Sequence, residues 1–177
     1  MQKRGAFCKP GIVCTLAIYF RMFPRYPLLL AANRDEQYDR PSAPPQLFGN
    51  KPKIVAGRDL RAGGTWLGAN EHGVLAAILN RRENGHPVAL PGVRSRGLLC
   101  MDLLSRPSAA DAHAFMRNHR SAYNPFTAVV ADRHEAYVSY NAGEEIVMQR
   151  LEPGLHVFSS AAEFDLHSAK ADRAYSL

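Results

Sequence analysis

Three apolar runs in this sequence have chemistry-bearing residues at one end. Cys14 opens the run Cys14-Thr15-Leu16-Ala17-Ile18-Tyr19-Phe20. Asn33-Arg34-Asp35-Glu36 closes the run Leu28-Leu29-Leu30-Ala31-Ala32, and Asn80 closes the apolar residues 74–79. A thiol, a guanidinium beside a carboxylate, and a carboxamide are the parts of a nucleophilic acyl-transfer site. Cys14 would attack a carbonyl. Arg34 would lower the thiol pKa or hold a substrate carboxylate, and Asp35 would orient an amine that takes the proton. Asn80 would donate to the oxyanion. Each residue also has an ordinary role. Free cysteine usually packs as a small hydrophobe, a charged turn forms surface ion pairs worth little, and Asn at a strand end forms turns. Arg81, Arg82, Arg94 and Arg96 make the loop 81–96 basic. Such a loop either receives an anionic substrate group or is simply solvated.

The elements that must hold these residues follow from patterning. Residues 12–20 and 28–33 read as two strands paired in a hairpin, joined through residues 21–27 with their two prolines. Residues 39–45, Asp39-Arg40-Pro41-Ser42-Ala43-Pro44-Pro45, read as a surface loop because each proline removes a donor. Residues 53–57 form a short strand, and the Gly63-Gly64 pair precedes a strand anchored by Trp66, the single tryptophan. Asn70-Glu71-His72-Gly73 is a hairpin turn, followed by the strand 74–79. Residues 97–104 have a helical apolar pattern, with Cys100 on the apolar face, and Ser108 caps a second helix over 109–119. Residues 126–131, 135–140, 145–151 and 155–159 are strands in meander spacing, and 163–177 is helix-like. Strands, two helices, then strands suggest antiparallel sheets with helices stacked on a face, an α+β or layered α/β/β/α architecture.

Composition excludes several classes. With 46% apolar and 21% charged residues the chain is an ordinary globular domain. No apolar run reaches the length of a membrane span. The net charge is +6, and half of it comes from Lys3, Arg4 and Lys9 in the acid-free first thirteen residues. The rest is spread thinly, so nucleic acid is not an expected partner. Three irregularly spaced cysteines form no disulfide framework and suit a reducing, cytoplasmic setting. No phosphate-binding glycine signature or zinc-ligand spacing is present, and no metal is expected.

Residues 1–13 are basic, then turn-like, and lack the apolar core of a secretory signal. Two readings stand. They are a disordered leader or propeptide, or translation starts at Val13, whose codons include an alternative bacterial start. In the second case, trimming the initiator leaves Cys14 with a free α-amine. An amine with pKa near ~8 can serve as the thiol's own general base.

Together, several motifs in order resemble the NRDE family, which includes the transport-and-Golgi-organisation proteins. They are Cys14-Thr15-Leu16-Ala17, Ala32-Asn33-Arg34-Asp35-Glu36, Arg40-Pro41-Ser42-Ala43-Pro44-Pro45, Ala56-Gly57-Arg58-Asp59, Gly63-Gly64-Thr65-Trp66-Leu67-Gly68 and Asn80-Arg81-Arg82. The resemblance implies a single domain over 14–177, a start at Met-Cys, and a C-terminal part beyond Leu177. More distantly, the family is similar to the N-terminal-nucleophile hydrolases of the bile-salt hydrolase and penicillin V acylase type. That likeness implies a four-layer αββα sandwich and an amide (C–N) hydrolase with Cys14, Arg34, Asp35 and Asn80 as catalytic residues. Asn33, Arg81 and Arg82 would contact substrate. Those hydrolases carry a second asparagine after a late strand; Ser160 stands at that position here, in Val157-Phe158-Ser159-Ser160. No cofactor is required. The other reading is a non-enzymatic haem or acyl-CoA carrier, in which the arginine loop meets propionates or phosphates. The expected partner is a small-molecule amide, acyl-CoA or haem.

Overall fold

The most apolar strand of the chain becomes its centre. In a computed structural model, β9 (Phe126–Ala131) is buried at all six positions. The structure describes residues 14–83, 86–87, 92–119, 123–142, 145–160, 173, 175 and 176. The segment 1–13 and all but three residues of the stretch 163–177 lie outside that set. A strand covered on both faces has no reason to alternate, which is why β9 reads as a continuous apolar run. Phe126, Ala128 and Val130 point into one core, and Val129 and Ala131 into another. Truncating Phe126, which is 1% exposed, would cost about 3–5 kcal/mol.

Seven antiparallel strands form the larger sheet, in the order β11 (Glu145–Arg150), β10 (Ala136–Ala142), β9, β6 (Leu75–Asn80), β5 (Leu67–Asn70), β4 (Ile54–Asp59) and β3 (Ser42–Phe48). Two helices, α1 (Arg96–Leu104) and α2 (Ala109–Asn118), bury Leu99, Cys100, Leu103, Leu104, Ala112 and Met116 in the core on one face. Their N-caps are Ser95 and Ser108, whose side chains accept from the amides of Gly97 and Asp111. On the other face, Leu16, Ile18, Phe20 and Phe158 of a three-stranded sheet meet Ala77, Leu79, Val129 and Val138. That sheet is β12 (Gly154–Ser159), β1 (Thr15–Phe23) and β2 (Tyr26–Asn33), with β1 in the middle. The fold is therefore α+β, with antiparallel sheets layered under a helix pair. A small hairpin, β7 (Arg82–Glu83) and β8 (His86–Pro87), completes the described strands.

The expected β1–β2 hairpin forms, in the register Thr15↔Asn33 to Phe20↔Leu28. It is longer than the sequence suggests. Residues 21–23 and 26–27 are strand, and the connection shrinks to Pro24-Arg25. A bulge at residues 21–22, where Arg21 has φ of 53°, lets the pairing resume at Phe23↔Tyr26. The surface loop expected at 39–45 is also corrected, because Ser42-Ala43-Pro44-Pro45 opens β3. This is an edge strand, and its register shifts between Ala43 and Gln46, so neither proline is asked for a ladder bond. The late strands do not form one meander. β9, β10 and β11 do, but β12 crosses to the other sheet and pairs with β1, Thr15↔Ser159. The basic stretch 81–96 is not all loop either, since it contains β7 and β8 and ends as the first residue of α1.

Candidate active site

A cavity of about 250 Å³ lies where residues of both sheets and the start of α1 come together. Cys14, Leu16, Ala32 and Asn33 line it from the small sheet, and Ala77, Leu79 and Asn80 from β6. Thr65 and Trp66 wall another side, and the start of α1 (Ser95, Arg96, Gly97) closes it. Cys14 and Asn33 share an end of the sheet because β1 and β2 are antiparallel and pair Thr15 with Asn33. Asn80 arrives independently, as the last residue of the strand packed across from them.

Cys14 is held at three points. Its main-chain N–H donates to Ser160 Oγ at 3.0 Å, and its carbonyl accepts from the Ser160 N–H at 3.0 Å. Its Sγ donates to the Asp35 carbonyl at 3.4 Å. Ser160 is buried and does not line the cavity. It seats the Cys14 main chain, and its side chain does not face the cavity. The thiol is not activated at rest. Burial pushes its pKa above the ordinary value, and the Asp35 and Glu36 charges add to that rise. A main-chain hydrogen bond with Asp35 and the Arg34 guanidinium pull it down by less. Arg34 thus acts in the expected direction but is the smallest of these influences. Desolvation of the thiol outweighs one cation that is itself neutralised by its neighbours.

Those neighbours form a closed network of charge. Arg34 Nη2 lies 3.4 Å from Asp59 Oδ2 and 3.6 Å from Glu36 Oε2. Arg40 reaches the same two oxygens, at 2.8 and 3.7 Å. Asp59 Oδ1 accepts from the amides of Arg61 and Ala62. Burial alone would raise the Asp59 carboxyl, but the Ala62 amide, Arg40 and the Arg61 amide outweigh it and hold the group below the usual carboxylate range. Arg34 also stacks over Trp66, 4.6 Å from the ring centroid. The ring lies against Gly57, where a Cβ would come within 2.9 Å of it. Gly64 is packed more tightly still. A Cβ there would sit 2.1 Å from the main chain of Gly97, and Thr65 N donates to the Gly97 carbonyl at 3.1 Å. The Gly-Gly-Thr-Trp motif is thus a seat for the start of α1 and a platform for Arg34.

Of the residues singled out in the sequence, Cys14, Asn33, Arg34 and Asn80 meet at the cavity. Asp35 contributes its carbonyl to the thiol, while its carboxylate accepts from Asn33 Nδ2 at 2.6 Å. Arg81 does not line the cavity; it stacks on Tyr140 at 5.4 Å. Arg82 lies in β7, and its side chain is outside the described set. Arg94 pairs with Asp102 and Tyr123, so it braces α1. The basic loop thus separates into residues with different roles, and of its arginines with described side chains Arg96 is the one on the cavity wall. Sequence reasoning missed the Arg40–Asp59 pair and Asn124, which also lines the cavity. Arg40 and Asp59 each lie in a quoted motif, but their pairing needs β3 laid beside β4. Among the described residues no cluster of side chains could hold a metal ion. No described helix is long and apolar enough to cross a membrane.

In fold, the layered antiparallel sheets match those of the N-terminal-nucleophile hydrolases. The chain resembles penicillin V acylase from Agrobacterium tumefaciens with a TM-score of 0.55 at 13% identity, covering 92% of this chain and 56% of that one. A point mutant of conjugated bile acid hydrolase from Clostridium perfringens gives 0.54 at 14% identity, over 93% and 58%. At such identities the likeness establishes the fold alone. The family profile Transport and Golgi organisation 2 matches residues 13–176, and the chain belongs to that family. It is 37% identical over 127 residues to the mouse Transport and Golgi organization 2 homolog and 35% identical to the human protein. Each match covers 65% of this chain and 44% of the relative, so the chain spans less than half the length of these relatives.

Proposed function

We propose that the cavity is the acyl-transfer site of a cysteine-dependent amide hydrolase. The observation that carries this reading is the shared cavity of Cys14 and Asn80, which arrive from different sheets. The resting thiol is protonated, so a base is needed, and the reading assigns that role to the α-amine of Cys14 in a form that begins at this residue. Cys14 Sγ attacks the amide carbonyl while its proton passes to the amine, and Asn80 Nδ2–H donates to the oxyanion. The C–N bond then breaks, the leaving nitrogen takes that proton, and a thioester remains. Water attacks the thioester, giving the carboxylic acid and restoring the thiol. Ser160, at 3.0 Å from the Cys14 nitrogen, seats that base.

The test is a panel of N-acyl amides offered to protein that starts at Cys14, to its Cys14→Ala variant and to protein retaining residues 1–13. Turnover should require both the thiol and the free amine, with losses of at least about a thousandfold. Intact-mass measurement of the natural protein should find residues 1–13 absent. Equal turnover by all three forms would remove Cys14 from the chemistry. Haem titration followed through the Soret band reads out the competing carrier role.

A further inference from the structure

The charges on the cavity wall do not cancel. Among the described residues three guanidiniums line it, from Arg34, Arg40 and Arg96, against the carboxylates of Glu36 and Asp59. Arg34 and Arg40 share those two carboxylates between them. Arg96 forms no ion pair within 4.0 Å among the described residues. Its one hydrogen bond is from Nη1 to the Pro125 carbonyl at 2.9 Å, which leaves four of its five donors without a described partner. Burial works against its charge, Arg40 repels it, and Glu36 compensates only in part. A half-buried cation in that position gains more from an arriving anion than a solvated one does. Its place is set by rigid parts. Arg96 is the first residue of α1, and the neighbouring Gly97 is clasped against Gly64 and Thr65. α1 has no acidic residue in its first turn to compensate its positive end.

We infer that Arg96 is the anion-binding element of this cavity and that the molecule taken there is an amide bearing a single carboxylate. Among the described wall residues the charge excess is one, so a monoanion neutralises them, whereas a phosphate dianion would leave an uncompensated charge beside Glu36 and Asp59. The planar fork of a guanidinium matches a carboxylate with two parallel hydrogen bonds. Leu16, Ala32, Ala77, Ile78 and Leu79 on the remaining wall suit a short acyl chain. This inference rests on the cavity being a substrate site, as proposed above, but it can be tested without turnover.

The experiment measures binding by calorimetry to the full chain carrying Cys14→Ala, so that nothing is hydrolysed. The probes are N-hexanoylglycine, its neutral counterpart N-hexanoylglycinamide, and N-hexanoyl-aminomethylphosphonate at pH 8. The carboxylate should bind at least tenfold tighter than the carboxamide and tighter than the phosphonate. Arg96→Gln should abolish the preference by lowering carboxylate affinity at least tenfold. Arg96→Lys, which keeps the charge without the fork, should retain part of it. Equal affinities for carboxylate and carboxamide in the parent overturn the inference, and this comparison needs no Arg96 variant to fold. A preference unchanged in Arg96→Gln, a preference for the phosphonate, or failure of all three probes to bind also overturns it. If the carboxylate preference holds while protein starting at Cys14 hydrolyses no amide, the hydrolase reading falls and the Arg96 site stands.

Discussion

Cys14 and Cys100 are the same residue in two kinds of burial. Cys100 is fully enclosed between α1 and the large sheet, its Sγ against the Ala76 carbonyl at 3.6 Å, and burial alone drives its thiol far up. Cys14 is also raised, and burial is again the largest cause, but it faces a cavity and has Arg34, Asp35 and Glu36 around it. A raised thiol pKa therefore does not separate a core residue from a site residue. Access and adjustable neighbours do. For Cys100, burial is the one cause among the described residues. Around Cys14 two carboxylates push it further up, and a hydrogen bond and a guanidinium pull it back.

The largest effect expected from that contrast is in alkylation. In a Cys8→Ser background at pH 8, iodoacetamide should modify Cys14 in the folded protein and leave Cys100 unmodified until global unfolding. The rate ratio should exceed about a thousandfold, because only unfolding exposes a fully enclosed side chain. Comparable rates, read by peptide mass mapping, would erase the distinction. Next is the seat of α1. Gly64→Ala forces a Cβ into the Gly97 main chain and should cost about 3 kcal/mol in urea unfolding. It should also weaken carboxylate binding by displacing Arg96. Normal stability in this variant would mean the contact is looser than its geometry.

The charge network should show itself in acid. Asp59 and Asp132 both have folded-state pKa values held below the ordinary 3.8. For Asp132, burial is outweighed by the amides of Ala109, His134 and Glu135. A group depressed by folding contributes stability that is present in full above its unfolded value and is lost as pH falls through the folded one. Thermal midpoints should therefore drop below about pH 4, and Asp59→Asn should flatten part of that drop. At pH 7 the same variant should lose about 1–2 kcal/mol. A pH profile identical to the parent would exclude Asp59 as a contributor. The smallest effect concerns the thiol itself. Glu36→Gln removes a charge that opposes the thiolate, so Cys14 alkylation at pH 8 should quicken about two- to fivefold, and Arg34→Gln should slow it. Changes in the opposite directions would show that these charges act on Cys14 other than electrostatically.

Much of this was legible in the chain, for physical reasons. Apolar runs bounded by turn residues located the strands, and Ser108 was readable as a helix cap because its hydroxyl satisfies an amide that every helix leaves orphaned, whereas the cap at Ser95 emerged only from the structure. The resemblance carried by Asn33-Arg34-Asp35-Glu36 and Gly63-Gly64-Thr65-Trp66 brought the family and its fold within reach. Pro44 and Pro45 misled, because proline forbids a ladder bond in a central strand but not at the bulge of an edge strand. What the sequence determined by itself was the set of local elements, the family, and which residue types stood at strand ends. Only the tertiary structure decided which charges meet. Arg94 and Arg96 are two residues apart in one basic stretch, yet one is spent on Asp102 and the other opens onto the cavity. Ion pairing falls off within a few ångströms, and which carboxylate lies within that distance depends on packing across sheets, not on spacing along the chain.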